Sequence, residues 1–252
     1  MNYLIGDIGN TNIKICKVNH SFKIKNTFLF KTKSIFLEKD LKKKLNKFFK
    51  KNICDKVLIS SVVPNVYKKV FRILKNKKFK VFELKDFNLN NVLKINMKNY
   101  SQLGSDRIAN AIGAYSRYKT NCIVIDFGTA TTFDIVKKPG VYDGGVIAPG
   151  ISLSMENLSS YTALLPKINL KRYPKIYGKN TKEALNSGFF WGYEGLINNI
   201  VKKIIKKNKK NFKIILTGGY SKLFSNKIEN KTKIEKDITI KGIIKAYRRF
   251  LA

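Results

Sequence analysis

Three short apolar runs open the chain, at about residues 2–9, 12–18 and 22–30, and their length and spacing predict a meander of three strands. A Lys-rich stretch at about 38–51 follows, with Leu41, Leu45, Phe48 and Phe49 on one face of a predicted helix. Next come a strand at Lys56–Ser60, a helix opened by Pro64 and running to about Lys75, and a strand at Phe79–Leu84. Proline suits a first helical turn because its missing N–H would have no partner inside the helix. This β-β-β-α-β-α-β order starts again at Cys122, with strands at about 122–127, 130–137 and 141–148 and a helix after Pro149-Gly150. An irregular, proline-containing stretch near 161–178 interrupts the second series. A long helix from about Thr181 to Lys207, a strand at Phe212–Thr217, a Gly-Gly turn into a short helix and a final helix near Thr239–Leu251 complete it. The pattern predicts an α/β fold of two duplicated domains, residues 1–105 and 106–252, hinged near 85–120 with a cleft between them.

The two series open on nearly the same turn. Asp7-Ile8-Gly9-Asn10-Thr11-Asn12-Ile13-Lys14 and Asp126-Phe127-Gly128-Thr129-Ala130-Thr131 each follow an apolar strand and lead into another, which reads as a tight hairpin with a carboxylate at its mouth. The glycine lets backbone N–H groups approach a ligand, the threonine offers a hydroxyl, and the aspartate can hold a cation directly or through water. Asp-x-Gly turns are common, so one copy would read as an ordinary hairpin. Two copies in equivalent places point to a metal–nucleotide polyphosphate.

Between the series lies Leu103-Gly104-Ser105-Asp106-Arg107-Ile108-Ala109-Asn110-Ala111-Ile112-Gly113-Ala114-Tyr115, where Ile108, Ala111, Ile112 and Tyr115 have helical spacing. Asp106 near the helix start reads either as an N-cap, stabilising by about 1 kcal/mol, or as a proton acceptor. Arg107 is either a surface charge or half of a site for a small anion that carries a hydroxyl.

Composition narrows the classes. The 51 basic residues against 16 acidic ones give a net charge of +35, which draws in anions. The excess is diffuse and lysine-based, with six arginines (Arg72, Arg107, Arg117, Arg172, Arg248, Arg249), so specific nucleic-acid binding is not expected. Cys16, Cys54 and Cys122 form no Cys-x-x-Cys and read as core residues of a reducing compartment. His20 has no Cys or His at ligand spacing, which argues against a zinc site or a Ser–His–Asp triad. Asp7 interrupts the first apolar run and no run reaches membrane-spanning length, so no membrane association is expected and the cytoplasm is the expected location.

Taken in order, Asp7–Lys14, Ser60-Ser61-Val62-Val63-Pro64, Gly104-Ser105-Asp106-Arg107 with Asn110, Asp126–Thr131, Gly144-Gly145-Val146-Ile147-Ala148-Pro149-Gly150, Gly178-Lys179-Asn180-Thr181 and Thr217-Gly218-Gly219 resemble type III pantothenate kinases. The paired Asp-x-Gly turns alone mark the wider actin-like ATPase (ribonuclease H-like) superfamily, which includes sugar kinases; Gly-x-Asp-Arg and Gly-Gly-x-Ile-x-Pro-Gly narrow it. The resemblance implies ATP-dependent phosphorylation of pantothenate to 4′-phosphopantothenate, the first step of coenzyme A biosynthesis. It implies that Asp7, Ile8, Gly9, Asn10, Thr11, Asn12, Ile13 and Lys14 surround the ATP phosphates with Thr129, and that Asp126 holds K⁺ or ammonium beside Mg²⁺. It further implies that Gly104, Ser105, Asp106, Arg107 and Thr181 contact pantothenate, with Asp106 as proton acceptor, in a homodimer. The family commonly places a substrate-contacting tyrosine seven residues before the Gly of Gly-x-Asp-Arg, where this chain has Met97; Tyr100 is the expected substitute.

Overall fold

The computed structural model describes residues 2–35, 38–46, 53–172 and 174–252. Its strands are β1 (Asn2–Ile8), β2 (Asn12–Asn19), β3 (Ile24–Lys31), β4 (Ile53–Ser61), β5 (Lys80–Glu83), β6 (Lys94–Ile95), β7 (Cys122–Phe127), β8 (Ala130–Lys137), β9 (Val141–Pro149), β10 (Lys213–Gly218) and β11 (Thr232–Ile234). The helices are α1 (Glu38–Asn46), α2 (Pro64–Asn76), α3 (Ser105–Tyr118), α4 (Ile151–Ser160), α5 (Thr181–Asn208), α6 (Ser221–Phe224) and α7 (Ile238–Phe250). Phe48 and Phe49, expected on the face of the first helix, lie outside the described residues; Leu41 and Leu45 of that face are buried.

Packing divides the chain into two units, Met1–Lys119 with Lys138–Asp143 and Asp237–Ala252, and Thr120–Lys137 with Gly144–Lys236. In the first, a five-stranded sheet has the order β3-β2-β1-β4-β5. The central strand β1 is antiparallel to β2 and parallel to β4, which is parallel to β5. Leu4 and Ile8 of β1 share one face with Ile13 and Ile15 of β2, packed with Leu41, Leu45, Val70, Ile73 and Leu74 of α1 and α2. Ile5 and Leu58 are buried on the opposite face, where α3 and α7 pack against β4 and β1. Burial on both faces explains why the first strand reads as a continuous apolar run rather than an alternating one.

The second unit repeats the pattern with β11-β10-β7-β8-β9. Its central strand β7 is again antiparallel to the strand that follows it, β8, and parallel to β10. The core joins Ile123, Ile125 and Phe133 to Phe190, Ile197 and Val201 of α5 and to Phe224. The duplication inferred from the sequence is thus visible as one strand order used twice. The short β6 pairs in parallel with Val141 and Tyr142 at the start of β9, within the first unit.

The compact units are cut differently from the expected halves 1–105 and 106–252. Helix α3 stays with the N-terminal sheet and α7 returns to it, because the two helices cross at very short range. A Cβ added to Gly242 would stand 1.8 Å from the Ala109 carbonyl oxygen, and one added to Gly113 2.3 Å from that of Ile238. Glycine is therefore required where these backbones meet. Thr239 Oγ1 donates to the buried Asn110 Oδ1 at 2.7 Å and fixes the start of α7 against α3. β6 and β11, two and three residues long, were not expected; each is too short to show a period.

Candidate functional site

In the first unit the β1–β2 register sets Asp7 opposite Lys14, and the β1–β4 register sets Asp7 beside the fully buried Ser60. Gly9 N–H donates to Asn12 O at 2.9 Å and closes the turn. Thr32 pins it from outside, its hydroxyl donating to Gly9 O at 2.7 Å and its N–H to Thr11 O at 2.9 Å. The backbone from Asp7 to Asn12 is thus held in shape by hydrogen bonds from the chain itself, which is what a phosphate cradle needs before its ligand arrives. Lys14 is ordered as well: its Nζ donates to Asp237 Oδ1 at 2.6 Å, with the Lys14 side chain 23% exposed and that of Asp237 45%. Asp237 stands just before α7 and its side chain caps none of that helix's N–H groups.

The start of α3 reaches the same end of the sheet. Val62, just beyond β4, donates its N–H to Ile8 O at 3.0 Å, and a methyl placed on Gly104 would lie 3.3 Å from Val62 Cγ1. The Asp7 turn and the Gly104–Arg107 segment therefore meet at the carboxyl ends of β1 and β4, where ligands bind in open α/β sheets. Asp106 Oδ1 accepts the Arg107 backbone N–H at 2.8 Å. Burial raises the Asp106 pKa above its ordinary value, opposed in part by that N–H and by the Arg107 guanidinium. The guanidinium lies 6.0 Å from the centre of the buried Tyr142 ring.

Ser105 is 1% exposed and its hydroxyl donates to Glu83 Oε1 at 2.9 Å, so its side chain faces the protein. Tyr100 is exposed at the start of a 3-10 turn, with Lys85 Nζ 5.7 Å from its ring centre; Met97 is exposed nearby in sequence. Partial burial and then the carboxylates of Glu83 and Asp86 raise the Tyr100 pKa, which leaves a neutral phenol able to donate.

In the second unit Asp126, one residue before the end of β7, lies between Thr132 of β8 and Thr217 of β10. Gly128 N–H donates to Ala130 O at 3.1 Å. This turn is a residue shorter than the first, since Phe127 pairs with Thr131 whereas Ile8 pairs with Ile13. In the sequence Thr129 comes one place after its glycine and Thr11 two places after. A Cβ on Gly150, which precedes α4, would fall 1.9 Å from Thr129 O, so only glycine lets the two loops touch. Gly219 N–H donates to Phe127 O at 3.1 Å, bringing the Gly218-Gly219 turn to the same place. The Asp126, Thr129, Gly150 and Gly218 segments are thus brought together at the carboxyl ends of β7 and β10. Thr181 is exposed as the first residue of α5, whose start is capped by Asn180 Oδ1 accepting from Glu183 N–H at 3.0 Å.

Sequence reasoning missed Glu83, Lys85 and Asp237. None belongs to a motif, and each meets its partner only through the fold. Among the described residues no group of three or more His, Cys, Asp or Glu is placed to hold a metal ion.

Comparison with known proteins agrees with these features. The profile of the type III pantothenate kinase family matches residues 3–203. A type III pantothenate kinase from Pelagibacter ubique (strain HTCC1062) is 49% identical over 96% of this chain and 97% of its own length. One from Ehrlichia canis (strain Jake) is 37% identical over 94% of this chain and 92% of its own. Among solved structures, a Campylobacter jejuni protein described as a Baf family transcriptional activator shares the fold, with a TM-score of 0.62, 22% identity and 98% coverage of both chains. The profile and the full-length relatives agree: the chain belongs to the type III pantothenate kinase family.

Proposed function

We propose that the protein transfers the γ-phosphoryl group of ATP to the primary alcohol of pantothenate, giving 4′-phosphopantothenate, the first step of coenzyme A biosynthesis. The observation that carries the reading, beside family membership, is the position of the Asp106 carboxylate at the N-terminus of α3, in the same unit as the Asp7–Lys14 turn and linked to it through Val62. Phosphoryl transfer asks little of side chains beyond alignment and charge stabilisation. The pinned backbone of residues 7–12 and the Lys14 ammonium hold the phosphates, with Thr129 adding a contact. Asp106 accepts the proton of the attacking hydroxyl as its oxygen bonds to the γ-phosphorus and the bond to the ADP oxygen breaks. Burial makes this carboxylate a stronger base than a solvated one, and positioned base catalysis contributes roughly 10²–10⁴-fold. Arg107 pairs with the pantothenate carboxylate; Tyr100, Gly104 and Thr181 complete the acceptor contacts.

Mg²⁺ would neutralise charge on the phosphates, with Asp7 the residue that would hold it, directly or through water. Membership of the family gives Asp126 the role of holding K⁺ or ammonium, and its carboxylate stands close against the Gly218 turn. The enzyme works as a homodimer in the cytoplasm. None of the described helices is long and apolar enough to cross a membrane.

The test is a comparison of Asp106→Asn with wild type in two assays, ATP binding by calorimetry and turnover with pantothenate or a panel of other small alcohols. The reading expects nearly unchanged ATP affinity, turnover lower by about 100-fold or more, and pantothenate preferred over every other acceptor. Wild-type-like turnover in the variant, or a better acceptor than pantothenate, overturns it.

A further inference from the structure

The acceptor segment is held by groups outside every motif. Ser105 sits between Gly104 and Asp106, yet its hydroxyl is buried and donates to Glu83 Oε1 at 2.9 Å. Glu83 is itself fixed. It ends β5 and caps the 3-10 turn Leu84–Asp86 reciprocally: its carboxylate accepts the Asp86 N–H while its own N–H donates to Asp86 Oδ2 at 2.8 Å. Two residues on, Lys85 Nζ donates to Ser101 O at 3.0 Å and lies over the Tyr100 ring. The end of β5 therefore grips the segment 100–105 at both ends.

We infer that Glu83 is a positioning residue for the acceptor site: by holding the Ser105 hydroxyl it sets the first turn of α3, and with it the direction of the Asp106 carboxylate. This rests on the role of Asp106 given above. A neutral partner would accept the same hydrogen bond, but a carboxylate accepts the Ser105 hydroxyl and the Asp86 N–H together and more strongly than a neutral group. The Ser105 hydroxyl proton is engaged by Glu83. A rigid support of this kind is what keeps a catalytic group within the narrow range that transfer tolerates.

The experiment measures steady-state kinetics for Glu83→Ala, Glu83→Gln, Ser105→Ala and the Glu83→Ala/Ser105→Ala pair, with folding checked by circular dichroism. Glu83→Ala is expected to lower kcat/KM for pantothenate by about tenfold or more, as misplacement of a reacting group does, with KM for ATP unchanged. Glu83→Gln, which keeps an acceptor at the same reach, restores most of the loss. The pair is expected to behave like Glu83→Ala alone, since that change already removes the Ser105 hydrogen bond together with the Asp86 cap. Unchanged pantothenate kinetics in a folded Glu83→Ala, or additive losses in the pair, overturns the inference. Failure of the underlying reading is separate and shows as normal turnover in Asp106→Asn. If Glu83→Ala does not fold, Ser105→Ala alone decides: an unchanged kcat/KM counts against the coupling.

Discussion

Gly242→Ala sets two sizeable effects against each other. In an unconstrained helix, alanine in place of glycine stabilises by about 1 kcal/mol, because glycine has more backbone freedom to lose. Here the new methyl would stand 1.8 Å from Ala109 O, 2.7 Å from Ala109 C and 3.0 Å from Gly113 N, all backbone atoms that cannot rotate away. Ordinary contact begins at about 3.4 Å, so α7 and α3 must part by roughly 1.6 Å, a gap at which dispersion contacts lose much of their depth. Overpacking of this kind costs about 1–3 kcal/mol, and with rigid backbone on the other side the upper half of that range applies. The clash wins, leaving a net loss of about 1–2 kcal/mol after the helix gain. For a chain of this size that lowers the melting temperature by roughly 2–8 °C. Because α3 carries Asp106 in its first turn, turnover should fall by about tenfold or more as well. Differential scanning calorimetry with a kinetic assay measures both. A variant that melts at or above the wild-type temperature with full turnover would refute the close crossing of α3 and α7.

Other changes follow from the site. Asp106→Asn should melt higher than wild type at neutral pH by scanning calorimetry. A carboxyl whose pKa is raised by folding destabilises the folded state once ionised, so the gain should shrink as pH falls through the raised value and vanish once pH lies below the ordinary carboxylate range. In wild type, kcat/KM should fall on the acid side as Asp106 takes up its proton, at a pH above that of a solvated aspartate, which a pH–rate profile measures. Lys14→Met should raise KM for ATP by about tenfold while sparing KM for pantothenate, as loss of a charge-assisted phosphate contact does; unchanged ATP kinetics would remove Lys14 from the nucleotide site. Gly150→Ala, which drives a methyl into Thr129 O, should weaken nucleotide binding by about tenfold or more in calorimetry through displacement of the Thr129 loop.

The parts of the fold that were legible are those written in local pattern. β7, β8 and the start of α2 fall where period and proline place them, because strands about six to eight residues long and a helix of thirteen carry enough positions to show a repeat. The three residues of β11 do not, and that strand is defined only by its parallel pairing with β10. The grouping of the helices was hidden for a related reason. A hinge expected near 85–120 carries no information that Gly113 and Gly242 will meet, and that contact holds α3 and α7 together in the first unit. The two Asp-x-Gly turns were read as alike, yet their strand pairing differs by one residue, which a shared motif does not reveal. Lys14 meets an aspartate 223 positions away and Ser105 meets Glu83 22 positions before it, so both partners were invisible until the chain was folded.

The central claim is phosphoryl transfer to pantothenate. The most direct measurement is to incubate the purified protein with ATP labelled in its γ-phosphate, Mg²⁺ and pantothenate, with and without K⁺, and to follow the label by mass spectrometry. The account predicts label in 4′-phosphopantothenate, formed faster with K⁺ and absent when Asp106→Asn replaces wild type. A folded wild-type protein that binds ATP but leaves pantothenate unlabelled in either K⁺ or ammonium would contradict it.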